Sequence, residues 1–113
     1  MEISRHAEID KDLVRLKKFA APKESLEAWE RLFYLKGLKE TPGIDIYPGF
    51  GQNKIYKARV VPLKENLGKS KGYRLIFQEI DNCVYKILAF SRHGIYDKEV
   101  ELMNIIKNRL KIY

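Results

Sequence analysis

Cysteine is nearly missing from this sequence. Its 113 residues hold one, Cys83, which excludes an internal disulfide framework and a cysteine-rich zinc site. Long apolar runs are missing too. No segment approaches the roughly 20 residues that cross a bilayer. The opening residues, Met1 to Glu8, lack the apolar core of a signal peptide. There is no Asn-x-Ser/Thr sequon. A lone thiol and no export signal lead to the expectation of a soluble, cytoplasmic protein that meets no membrane. Histidine is scarce. His6 and His93 have no neighbouring ligand set, so no metal and no cofactor is expected. Gly68-Lys69-Ser70 suggests a phosphate-binding loop, but the glycine required five positions earlier is Leu63, and a strand rather than a helix is predicted after it. Gly49-Phe50-Gly51 lacks the third glycine and the preceding strand of a dinucleotide fingerprint. No close pair of carboxylates in the basic region suits glycosidase chemistry.

What the sequence does have is charge in an uneven distribution. The formal net charge is +7. Residues 1–50 carry nine basic and nine acidic side chains; residues 51–113 carry 13 basic and six acidic, so the entire excess lies in the second half. Between residues 54 and 74, seven cations (Lys54, Lys57, Arg59, Lys64, Lys69, Lys71 and Arg74) stand against Glu65 alone. Such a block is the electrostatic footprint of a polyanion site. Hydrophobic residues at 45% and charged residues at 33% suit a folded chain. At this length about 65% of the unfolded surface can be buried without a staple, and the whole of residues 1–113 is read as one domain.

The pattern of apolar residues predicts an α+β fold: two N-terminal helices packed on a twisted antiparallel meander, then a C-terminal helix. Residues 2–6 suit a short strand. Ile9, Leu13 and Leu16 mark one face of a helix over residues 10–19. Pro22 suits the first turn of a second helix, closed by Gly37, with the two helices in antiparallel contact. Residues 40–53, punctuated by Pro42-Gly43 and Pro48-Gly49, read as an irregular loop. Strands follow at 54–61, 73–80 and 83–90, joined by a polar loop over 62–72 and a tight turn at Asp81-Asn82. The third strand, mostly apolar, is expected inside the sheet. A helix over 97–111 has Asp97 as candidate N-cap and Val100, Met103, Ile106 and Leu110 as its buried stripe.

Strand parity turns the charge block into a face. Lys57 and Arg59 share one side of their strand, about 7 Å apart. Arg74 joins them if the next strand pairs alongside. Lys69 and Lys71 come from the intervening loop, and Arg92, His93 and Tyr96 follow the third strand. RNA scission by 2′-hydroxyl attack suits this set. The hydroxyl must lose a proton, charge builds on the phosphoryl oxygens, and the 5′-oxygen leaves with a proton. Cations fixed in advance stabilise that charge. Imidazole is the one side chain of the set that titrates near neutrality, which makes His93 the best proton donor. Tyr96 is placed to stack on a base or to hold the backbone.

Three stretches resemble the RelE/ParE superfamily of type II toxin–antitoxin toxins: Ile55-Tyr56-Lys57-Ala58-Arg59, Gly72-Tyr73-Arg74-Leu75-Ile76-Phe77-Gln78-Glu79-Ile80-Asp81, and Arg92-His93. The likeness covers residues 54–96. It implies two helices over a twisted antiparallel sheet. In the RelE-like branch it implies an mRNA interferase: a metal-independent endoribonuclease that cuts mRNA on the ribosome, inhibits translation and arrests growth. Its catalytic set would be Lys57, Arg59, Arg74, Arg92, His93 and Tyr96, with Lys54, Lys69 and Lys71 binding RNA. His93 stands where such members carry a second basic residue, and Tyr96 falls closer to it than their usual tyrosine. The partners implied are mRNA, the ribosome and a cognate antitoxin. Two alternatives share the fold: a ParE-like inhibitor of DNA gyrase, and a non-catalytic relic that binds RNA or protein.

Overall fold

Alternating residues in the basic half build the middle of the sheet. A computed structural model describes residues 1–64, 72–96 and 98–111. Its elements are β1 (Glu2–Arg5), α1 (Ile9–Arg15), α2 (Pro22–Glu40), β2 (Ile44–Ile46), β3 (Lys54–Val60), β4 (Tyr73–Asp81), β5 (Val84–Arg92) and α3 (Glu99–Leu110). The α+β class read from the sequence is the one observed. The sheet runs β1-β5-β4-β3-β2. Pairs β2–β3, β3–β4 and β4–β5 are antiparallel, whereas β1 lies parallel to β5. The sheet is therefore mixed, not a pure meander, because β1 joins it beside β5, the last strand of the chain, with α1, α2 and β2 to β4 between them.

One face of the sheet buries Ala58, Val60, Tyr73, Leu75, Phe77, Tyr85, Ile87 and Phe90 under α1 and α2. Trp29 and Phe33 from α2 stack at 4.9 Å, and Phe33 meets Phe77 and Tyr85 edge-on at 5.2 and 4.8 Å. The other face buries Ile55, Ile76, Leu88 and Ala89 under Leu102 and Ile106 of α3. The helices are thus not gathered on one side. β5 has helices on both faces, which is why Ile87 to Arg92 form an unbroken buried run.

Four further expectations need correction. Helix α1 stops at Arg15, before the predicted end, and its main backbone neighbour is β5. Pro22 does open α2, but Gly37 (φ 78°, ψ −179°) interrupts it rather than ending it, and a further turn follows. Ile44–Ile46 form an edge strand inside the stretch read as loop. Val100 is 54% exposed, and Leu102 takes its place in the α3 stripe. Asp97 lies outside the described residues, as do Lys69 and Lys71.

The edge of β5 explains the helix placement. β1 pairs with Val84 to Ile87, and His6 N–H donates to Ile87 O at 2.8 Å. Beyond that point no strand among the described residues flanks β5 on this side. The ladder to β4 also slips here: Ile76 faces Ala89 and Phe77 faces Ile87, leaving Leu88 as the extra residue of a bulge. Two side chains satisfy the freed backbone. Asp12 Oδ2 of α1 accepts from Phe90 N–H at 2.9 Å, and Arg109 Nη1 of α3 donates to Leu88 O at 2.8 Å. The two side chains also pair with each other at 2.7 and 2.8 Å. Both are buried, with side-chain exposures of 2% for Asp12 and 7% for Arg109.

Removing one partner of such a pair strands a buried charge. Arg109→Ala is expected to lower unfolding free energy by about 3–5 kcal/mol, read by chemical denaturation. Asp12→Ala is expected to cost a similar amount.

The β4–β5 turn carries the opposite kind of prediction. Cys83 adopts φ 61°, a left-handed conformation that costs a side chain roughly 1–2 kcal/mol. Cys83→Gly relieves it and Cys83→Ala does not, so the glycine variant is expected to be the more stable by about 1 kcal/mol in the same assay.

Candidate functional site

Register brings the predicted cations together. In the β3–β4 ladder Arg59 lies directly opposite Arg74, and Lys57 lies opposite Ile76. All belong to the face that α3 covers only in part, so the cations remain beyond its first turn. Like charges placed directly across a ladder cost about 0.2–1 kcal/mol relative to neutral pairs. The fold accepts that cost.

These side chains border an open cleft of about 360 Å³, lined by Gly43, Asp45, Lys57, Ala58, Arg59, Gly72, Tyr73, Arg74 and His93. Each comes from a different structural cause. Gly43, at φ 80°, turns the chain into β2 and lies under Arg59: a Cβ there would meet Arg59 Cβ at 3.6 Å. Arg59 N–H donates to Gly43 O at 3.1 Å, fixing β2 to β3. Asp45 is the β2 partner of Lys57. Gly72 brings the chain back against β3 so closely that a Cβ would lie 2.7 Å from Val60 O. His93 is exposed in the turn after β5.

Arg74 is held by a partner that the pattern of the sequence did not single out. Its Nη2 donates to both carboxylate oxygens of Glu99, at 2.6 and 2.8 Å. Glu99 opens α3, and its Oε1 also accepts from Tyr47 O–H at 2.5 Å. The hydrogen bond from Arg74 holds the Glu99 carboxyl below the usual carboxylate range; burial opposes this and Tyr47 reinforces it. Burial, then Glu99, raises the Tyr47 hydroxyl well above its ordinary pKa. Lys57 Nζ lies 5.7 Å from the centre of the Tyr47 ring. The cleft is therefore cationic but internally restrained. Glu99 presents two oxygens to Arg74 as a phosphate would.

Three other predicted residues, Arg92, Tyr96 and Lys54, are not in this cleft. Arg92 falls on the opposite face, because its register partner is Tyr73 and not Arg74. It is 5% exposed, with its guanidinium 4.3 Å from the Phe19 ring centre and 5.0 Å from that of Tyr73. Tyr96 is half-buried against the α3 cluster with Met103 and Leu110. Lys54 sits at the far end of β3, paired with Glu79 at 3.6 Å. Asp45, Tyr47 and Glu99 are the site residues that sequence reasoning missed. Their signals were faint: Ile44 and Ile46 flanking Asp45 in strand alternation, and a carboxylate in the first turn of the last helix.

Such a cleft can bind a phosphate group, stabilise charge that develops on it, and offer an imidazole and a carboxylate for proton transfer. No protein-family model matches this chain, nor does any curated protein or solved structure.

Replacing Glu99 by Gln keeps the shape and frees Arg74 of its charge partner. Glu99→Gln is expected to tighten binding of a short RNA by about tenfold at fixed low salt, measured by fluorescence anisotropy. The pH dependence has a definite sign. Glu99 is depressed in the fold, so its pairing with Arg74 holds above the ordinary carboxylate pKa and is lost as pH falls through the lower folded value. RNA binding by the wild type is therefore expected to approach that of the glutamine variant only below the ordinary carboxylate pKa.

Proposed function

We propose that this chain is a RelE-like toxin of a type II toxin–antitoxin system, a metal-independent endoribonuclease that cuts mRNA on the ribosome by 2′-hydroxyl attack. The reading rests above all on one observation: Lys57, Arg59, Arg74 and His93 border a single cleft, with the two arginines facing each other across β3 and β4. Arginines opposed in this way are poor for stability and well suited to the two non-bridging oxygens of a phosphodiester. In this scheme Arg59 and Arg74 stabilise the charge on the phosphoryl oxygens as the 2′-oxygen attacks. Lys57 holds the strand. Asp45, the carboxylate among the lining residues, accepts the 2′-hydroxyl proton, and His93 at the mouth protonates the leaving 5′-oxygen. The five groups work as a unit, so removing any one of them is expected to cost far more than its share.

The cognate antitoxin would cover the cationic face with acidic or apolar segments. The pairing of Arg74 with Glu99 favours a second reading, a relic that binds RNA or protein without cutting it, since the central arginine is already partnered. Inhibition of DNA gyrase is a further alternative on the same fold, and it makes no demand on His93.

One experiment separates the three. Purified protein is added to translating ribosomes in EDTA and mRNA ends are mapped; gyrase supercoiling is followed in parallel. Cleavage in the wild type, with Arg74→Ala and His93→Ala each reduced by at least about 100-fold while still folded by circular dichroism, is the expected result. Full activity in both variants would overturn the site. RNA binding without cleavage would favour the relic, and loss of supercoiling alone the gyrase inhibitor.

A further inference from the structure

An apolar groove runs beside the cationic cleft and shares a wall with it. About 500 Å³ in volume, it lies between α2 and the end of β3, and Gly43, Arg59 and Gly72 border both spaces. Its character is otherwise different. Leu32, Val61 and Leu63 face it and remain 37%, 75% and 53% exposed. Trp29 contributes a surface that is buried overall, and its indole Nε1–H has no acceptor among the described residues. The groove is a built feature: Ser25 Oγ accepts from Leu63 N–H at 3.1 Å and donates to Ala21 O at 2.8 Å, anchoring the segment after β3 to α2.

We infer that this groove receives the nucleobase of the nucleotide whose phosphate lies in the cationic cleft. The inference rests on the ribonuclease reading and names the part of the substrate that the cleft alone leaves unplaced. A nucleotide is a phosphate joined to a flat heteroaromatic ring, and here an anion site continues into an apolar slot with Arg59 at the junction. Exposed leucine and valine side chains offer the faces of a ring a favourable contact that water does not.

Trp29 is the chain's sole tryptophan, so its fluorescence reports this groove directly. The protein is titrated with ribonucleoside 5′-monophosphates, ribose 5-phosphate and inorganic phosphate, following heat of binding and Trp29 emission together. The expected result is that the nucleotides shift Trp29 emission saturably and bind about tenfold tighter than ribose 5-phosphate, which binds without the shift. Ala28→Leu narrows the groove without altering charge, and is expected to bring nucleotide affinity down to that of ribose 5-phosphate. Val61→Ser, at a side chain too exposed to endanger folding, is expected to weaken the nucleotide selectively and to a smaller degree.

Equal affinities for nucleotide and sugar phosphate, with Trp29 unmoved, would overturn the base slot while the phosphate cleft stands. An emission shift of the same size from an uncharged apolar peptide would also overturn it. Failure of every phosphate to bind, together with intact mRNA in the ribosome assay, would remove both the slot and the reading beneath it.

Discussion

The buried pair of Asp12 and Arg109 is the constraint on which the architecture turns. A sheet edge with unmet backbone groups needs partners, and β5 runs five residues past the last residue that β1 pairs with. Asp12 and Arg109 supply those partners and each other's counter-charge. Burial is the largest single influence on Arg109 and opposes its charge, but the hydrogen bond to Asp12 and the attraction of Asp12, Tyr96 and Glu8 together outweigh it, so its pKa is raised. Because one side chain comes from α1 and the other from α3, the same contact commits helices to both faces of the sheet. The orientation of α3, and with it the position of Glu99, follows from where Arg109 is held.

That dependence links stability to the cleft. Lys57, Arg59 and Arg74 are arranged by strand register alone, and register is indifferent to their mutual repulsion. Restraint comes from outside the β3–β4 ladder, from Glu99 on Arg74 with Tyr47 behind it, while Asp45 is the register partner of Lys57. These contacts are partly exposed, so they adjust the cleft more than they stabilise the fold. The cleft's positive character is thus a balance among seven or so side chains rather than a sum of lysines and arginines.

Much of this was legible from sequence, and the exceptions have physical reasons. Period-two alternation over 54–60 and 73–78 placed the cations on one face, because a strand has only two faces to offer. The same reasoning could not sort Arg92. The bulge at Leu88 adds one residue to β5 and reverses the parity beyond it, and a single skipped position sends Arg92 into the aromatic core instead of the cleft. β1 was recognisable as a strand, but nothing local encodes that it pairs in parallel with a partner over 80 positions away. Glu99 and Tyr47 are unremarkable in sequence. They matter because Arg109, ten residues on, fixes the helix that carries one of them.

The pairing of β1 with β5 has a consequence for the order in which the chain is made. A ribosome delivers β1 first, yet its partner emerges only after most of the domain, and Arg109 follows 97 positions behind Asp12. Contacts so distant in sequence slow folding, because a long loop must close before they contribute. The β3–β4 hairpin is under no such delay, since its strands are near neighbours. On a nascent chain the opposed arginines can therefore assemble before Glu99 has left the exit tunnel, and the anion site passes through a stage in which its own carboxylate does not yet restrain it.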